Sequence, residues 1–162
     1  MLRRAGLVAL AAVVLAVAVA ALASATGRES DDRKVEVVKL ESKILKGADL
    51  NLGDEAFGLG DRVALQQGLW QDGKSVGELG VDCVVIDLDG QTGVTMQCLA
   101  TASLPDGQIA GQGLIGFTAD EVQRFSLAVT GGTGDYRTAR GEIRVEERSD
   151  EGAGTITVTL LR

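Results

Sequence analysis

Histidine is absent from this chain, proline occurs once, and aromatic residues make up only 3%. Without an imidazole, a Ser-His-Asp triad, a histidine metal site and a histidine proton switch are all excluded. Positive charge is also scarce: 16 Lys and Arg stand against 23 Asp and Glu, for a net charge of −7. A protein that tracks phosphates works by releasing counterions to its own cations, so no nucleic-acid partner is expected. At 162 residues the chain holds one ordinary domain and is too short for two with separate cores. Glycine is the residue in excess, with 22 copies.

The first residues do not read as part of the fold. Arg3 and Arg4 precede an apolar run from Leu7 to Leu22, and Ala23 and Ala25 supply small-residue cleavage spacing. Residues 1–25 therefore read as a secretory signal peptide, with an uncleaved membrane anchor as the competing reading. Cleavage removes Arg3 and Arg4, which moves the formal charge from −7 to −9. Residues 26–34, mostly polar and charged, read as a flexible lead-in. The domain is then expected over 35–162, secreted, with no membrane contact after cleavage.

Apolar runs of strand length, bounded by Gly, Asp, Asn or Pro, recur through that region. They predict strands over Val35–Ser42, Arg62–Trp70, Val76–Leu88, Thr92–Ala102, Gln108–Phe117, Arg124–Thr130, Gly141–Arg148 and Thr155–Leu161. Thr118–Val122 reads as one short helical turn, and Asp72-Gly73 as a hairpin turn. No segment is long enough for a helical crossover, so the class is all-β. An eight-stranded antiparallel up-and-down barrel is expected, because closure removes exposed sheet edges. A sandwich is the alternative.

Cys83 and Cys98 flank Asp89-Gly90-Gln91-Thr92. With those four residues as the loop, Leu88 faces Gly93, Ile86 faces Thr95 and Cys83 faces Cys98. Directly opposed residues of an antiparallel pair lie within disulfide reach, and export supplies an oxidising compartment. Two buried thiols are the competing reading.

From Val129 the sequence runs VTGGTGDYRTARGEIRV. A phosphate-binding loop would need a helix after the glycines, whereas Gly141, Ile143 and Val145 alternate as a strand does. Gly131, Gly132 and Gly134 then serve a tight strand-to-strand connection through positive φ or close backbone approach, with Gly141 a further glycine of the motif at the start of the next strand. The stretch TGGTGDYRTARGE resembles the signature of the dirigent proteins and their allene oxide cyclase-like relatives. Gln67-Gly68-Leu69-Trp70 and Gly111-Gln112-Gly113-Leu114 are similar to other elements of that superfamily, and the likeness spans roughly Arg62 to Leu161. It implies a barrel with an apolar lumen that steers coupling or cyclisation of a reactive intermediate by orientation, often as a trimer.

On that resemblance Asp135, Tyr136 and Arg140 take the signature's variable, aromatic and arginine positions. Asp135 becomes a candidate acid or base, Arg140 a candidate anion or carbonyl contact, and Tyr136 a candidate substrate contact. Their alternative is structural: a barrel-end plug for Tyr136 and a loop ion pair for the other two. Glu36, on the parity of Val38 and Leu40, is a further candidate acid if that face is the lumen, and surface exposure is its alternative. Trp70 is assigned to substrate binding or to core and rim. Glu142, Glu146 and Glu147 read as a solvated face. No metal or other cofactor is expected. The partner is a small apolar molecule in the lumen, with a homo-oligomer (trimer or dimer) also open. Three functions follow: a barrel that guides cyclisation or coupling, with isomerase-like chemistry; a lipocalin-like barrel that holds its ligand unchanged; or a structural or interaction protein of the cell envelope.

Overall fold

The computed structural model describes residues 34–53, 57–89, 93–118, 123–148 and 152–161. The leader, most of the lead-in and the expected turn within 118–122 lie outside these residues, apart from Lys34 and the strand residue Thr118. Alternating apolar residues form β1 (Val35–Leu50), β2 (Arg62–Gln71), β3 (Lys74–Asp89), β4 (Gly93–Leu104), β5 (Gly107–Thr118), β6 (Arg124–Gly132), β7 (Arg140–Glu147) and β8 (Ala153–Leu161). Each strand pairs antiparallel with the next, and β1 pairs with β8 from Val35–Leu161 to Lys43–Ala153, so the sheet is a closed barrel. The sandwich alternative is thereby excluded. Side chains alternate across each strand, which sends Ile156, Val158 and Leu160 inward from β8 and the threonines between them outward. Inward residues from all eight strands, among them Leu40, Leu69, Leu79, Met96, Ile109, Leu127 and Ile143, make one core.

Two details depart from the sequence reading. β1 does not stop at Ser42 but continues to Leu50, because a register shift between Ile44 and Lys46 bends the strand and lets it keep pairing with β2. The β3–β4 connection is also shorter than four residues, since Asp89 already pairs with Gly93. Leu88 therefore faces Val94, and Asp87, not Ile86, faces Thr95. A bulge between Val85 and Asp87 takes up the difference, so that Cys83 still stands opposite Cys98 and the two form a disulfide. The β2–β3 turn is as the residues suggest. Asp72 and Gly73, at φ 51° and 73°, make the two-residue turn whose twist matches that of the flanking strands.

One buried acid escaped the sequence reading. Asp61, 2% exposed, accepts hydrogen bonds from the backbone N–H of Leu52 (2.8 Å) and of Gly58 (2.7 Å). Its carbonyl accepts the N–H of Val85 at 2.8 Å, which ties the β1–β2 connection to β3. Strand pairing is uneven around the barrel. β4 and β5 pair from Gly93–Thr118 to Leu104–Gly107, whereas β5 and β6 pair only between Ile109–Gly132 and Gln112–Ala128. Beyond that point Phe117 and Phe125 meet edge to face, ring centroids 6.2 Å apart.

The disulfide spans a sequence separation of 15, and the loop it closes in the unfolded chain corresponds to about 3 kcal/mol. The double variant Cys83→Ala/Cys98→Ala should lose about that much in urea unfolding while keeping its far-ultraviolet spectrum. An unchanged midpoint would show that the unfolded chain is not constrained by the bridge.

Candidate functional site

The barrel has a long connection at one end, between β6 and β7, and the motif glycines build it. Gly131 and Gly132 close β6, and Gly134–Tyr136 makes a single 3₁₀ turn. No α-helix follows the glycines. Gly134 has φ 59°, and a Cβ there would lie 2.3 Å from the carbonyl oxygen of Asp106 in the neighbouring β4–β5 turn. The N–H of Asp135 donates to that same oxygen at 2.9 Å, and Thr133 Oγ1 accepts from the N–H of Gln108 at 3.1 Å. The loop is thus stitched to its neighbour by backbone contacts that a side chain would break. Tyr136 and Ala139 are carried into the core, close to the fully buried Leu160 and Leu69 level of the barrel. This end is plugged.

The interior beneath the plug is hollow, from Leu104 and Ile109 beside the motif loop to the opposite end. A cavity of about 140 Å³ is walled by apolar side chains, including Leu40, Leu65, Val81, Ala100, Ile115, Leu127, Ile156 and the Cys83–Cys98 pair. Phe117 and Phe125 line it toward the end where β7 turns into β8. Four polar side chains face it among the described residues: Ser42, Gln67, Glu147 and Arg148. Glu147 and Arg148 stand at the solvent-accessible mouth, with Ile44 and Gly152 beside them. Two bonds fix that rim. The N–H of Glu147 donates to the carbonyl of Gln123 at 2.9 Å, and the N–H of Arg148 to that of Ala153 at 2.8 Å.

Glu147 is exposed at the rim like Glu142 and Glu146, but unlike them it borders the cavity. Glu142 and Glu146 do lie outward and exposed, beside Arg144 (3.1 Å) and Arg124 (3.8 Å) respectively. Glu147 has the opposite parity, that of Ile143 and Val145, and burial pushes its carboxyl above the usual carboxylate range. That parity is the signal in the sequence that identifies it.

The sequence candidates fall elsewhere. Asp135 and Arg140 are exposed at the plugged end, and Tyr136 is buried there with a partner of its own. Glu36 is half-buried, paired in the ladder with Leu160 at the same end, and also partnered. Trp70 lies on the outer face, its indole over the space a Gly68 side chain would occupy. None of these five lines the cavity.

With the geometry established, comparison with known proteins places it. The allene oxide cyclase barrel like domain matches residues 38–156, and the chain belongs to that family. Solved structures share the barrel. A pyocyanin demethylase is similar at 26% identity and TM-score 0.67, covering 77% of this chain and 99% of its own. The Diels–Alderase AbmU from Streptomyces koyangensis is similar at 18% identity and TM-score 0.65, covering 87% of this chain and 72% of its own. A pterocarpan synthase dirigent protein is similar at 16% identity and TM-score 0.60, covering 80% of this chain and 84% of its own. No curated protein sequence matches.

Two consequences can be measured. Gly141 has φ 145° and a Cβ there would fall 1.8 Å from the carbonyl oxygen of Thr159, so Gly141→Ala must displace β7 from β8. The variant should lose about 2 kcal/mol or more, read as a lower Tm. For Glu147, burial favours the neutral carboxyl in the fold. Its contribution to stability is complete below the carboxyl's unfolded pKa and is lost as pH rises through its folded value. Glu147→Gln removes that loss. The variant's stability relative to the parent should therefore rise as pH is raised through the carboxylate range, in thermal unfolding at a series of pH values; a flat difference would put Glu147 in bulk water.

Proposed function

We propose that the chain is an exported barrel whose lumen takes up a small apolar molecule through the Glu147 end and guides its cyclisation or coupling. The observation that carries this reading is the apolar cavity in the barrel interior: it runs from beneath the motif loop to the Glu147 end and is polar only at a few positions. Such a wall holds a flexible intermediate in one conformation by exclusion, and orientation alone supplies much of the barrier reduction in ring closure. The polar groups are few enough to fix direction without solvating the reacting carbons. Cyclases and a dirigent protein on the same barrel support the reading. A volume near 140 Å³ corresponds to about one benzene ring, so a larger ligand extends into the mouth.

A second reading has an observation of its own. The ionisable groups on the cavity wall, Glu147 and Arg148, both sit at the mouth, and the deeper wall is aliphatic. That arrangement suits a barrel that holds its ligand unchanged.

Toluene is a suitable probe of the lumen. It should bind the purified protein, and Ala100→Phe, which grows a ring from a cavity-lining position, should abolish binding while the strand spectrum persists. Absence of toluene binding in the parent would overturn the lumen reading. Incubation with a cell extract, followed by identification of the retained compound, separates guiding from holding: a rearranged product supports the first, an intact one the second.

A further inference from the structure

Three residues of adjacent strands form one row in the cavity wall. Ser42 on β1 pairs directly with Gly154 on β8, and Gly154 pairs directly with Glu147 on β7. Directly paired residues share a face, and both outer members line the cavity. The middle member has no side chain. A Cβ built on Gly154 would lie 3.1 Å from the carbonyl oxygen of Glu146, 3.3 Å from Ser42 Oγ and 3.6 Å from the Cα of Glu147, so the glycine leaves a narrow notch between Ser42 and the Glu146–Glu147 backbone. Ser42 is 6% exposed, which places its hydroxyl in the cavity wall and away from bulk water.

We infer that Ser42, Gly154 and Glu147 form a polar subsite that takes a single hydroxyl group of an otherwise apolar ligand. The inference rests on the lumen reading above and adds the chemistry that orients the guest. Above the pH at which it titrates, Glu147 is a carboxylate that only accepts, so it calls for a donor on the ligand, and the ligand's own oxygen is then left to accept from the serine hydroxyl. One O–H satisfies both residues. An ether oxygen satisfies Ser42 alone, and a hydrocarbon satisfies neither. Because Ser42 is buried in a largely apolar wall, a guest that offers it no partner displaces water without replacing its hydrogen bond, and this converts chemistry into selectivity. The ring then lies against the apolar wall with its hydroxyl carbon held toward β8. Gly154 acts as a positioning residue: its missing side chain is the room in which the oxygen sits.

The test compares three guests of one ring size, toluene, benzyl alcohol and benzyl methyl ether, each titrated into the parent, Glu147→Leu, Glu147→Gln, Ser42→Ala and Gly154→Ala. The quantity read is the ratio of alcohol to toluene affinity within each protein, which cancels differences in the lumen itself. Glu147→Leu and Gly154→Ala should each lower that ratio by about tenfold. Glu147→Gln, whose amide oxygen still accepts, should lower it less than Leu does. Ser42→Ala should lower the alcohol and ether ratios together, while Glu147→Leu lowers the alcohol ratio alone. Equal ratios across all five proteins, with toluene bound by each, would overturn the subsite and leave the lumen standing. Failure of toluene to bind the parent would instead remove the lumen reading beneath it.

Discussion

The pairing of β1 with β8 is the constraint on which everything else depends. Those ladder positions convert a meander into a cylinder, and with closure every inward side chain of eight strands must share one interior. Inward residues are consequently either packed together or lining a hollow, and the barrel does both. At the motif end Leu69 and Leu160 are fully buried and Tyr136 fills part of the space, although the hollow reaches Leu104 and Ile109 beside that loop. Toward the β7–β8 turn it is open. Glycine decides how closely the strands can coil: a side chain at Gly111 would collide with Ile143, whose methyl occupies the space instead.

Much of this architecture is legible in the sequence because it rests on local rules. Alternation marks strands, Asp72-Gly73 marks a turn, and glycines followed by alternating apolar residues exclude a helix. The disulfide partners are legible for a less direct reason. The connection after Asp89 is one residue shorter than expected and the strand before it carries one bulge residue, and the two offsets cancel at Cys83. The motif's role as a connection was readable too, and so was its family.

The candidate site was less legible. Parity indicates which residues face inward, but not how far along the cylinder each one sits. Glu36 and Glu147 both have the parity of the apolar residues beside them, yet Glu36 belongs to the plugged end and Glu147 to the mouth. The height of a residue follows from the stagger of all eight strands, a global quantity that no segment encodes. Trp70 is a different case. Its size suggests an interior position, but its parity, opposite to that of Leu65, Gln67 and Leu69, leaves the indole lying outside over Gly68. The signature residues attract attention because they are distinctive, and they are distinctive because a tight connection demands them. The ionisable side chains that border the cavity lie at the opposite end, on residues with no motif at all.

The short seam between β5 and β6 has a mechanical consequence. Backbone hydrogen bonds hold neighbouring strands of a cylinder together like hoops on staves, and here the hoops run out after Gln112 and Ala128, toward the open end. Two rings, Phe117 and Phe125, bridge the gap in their place. Rings can slide past one another without unsatisfying any backbone group. A seam held partly by ring contacts in place of paired backbone groups is the joint of the cylinder that deforms at least cost, while the continuous ladders elsewhere keep their shape.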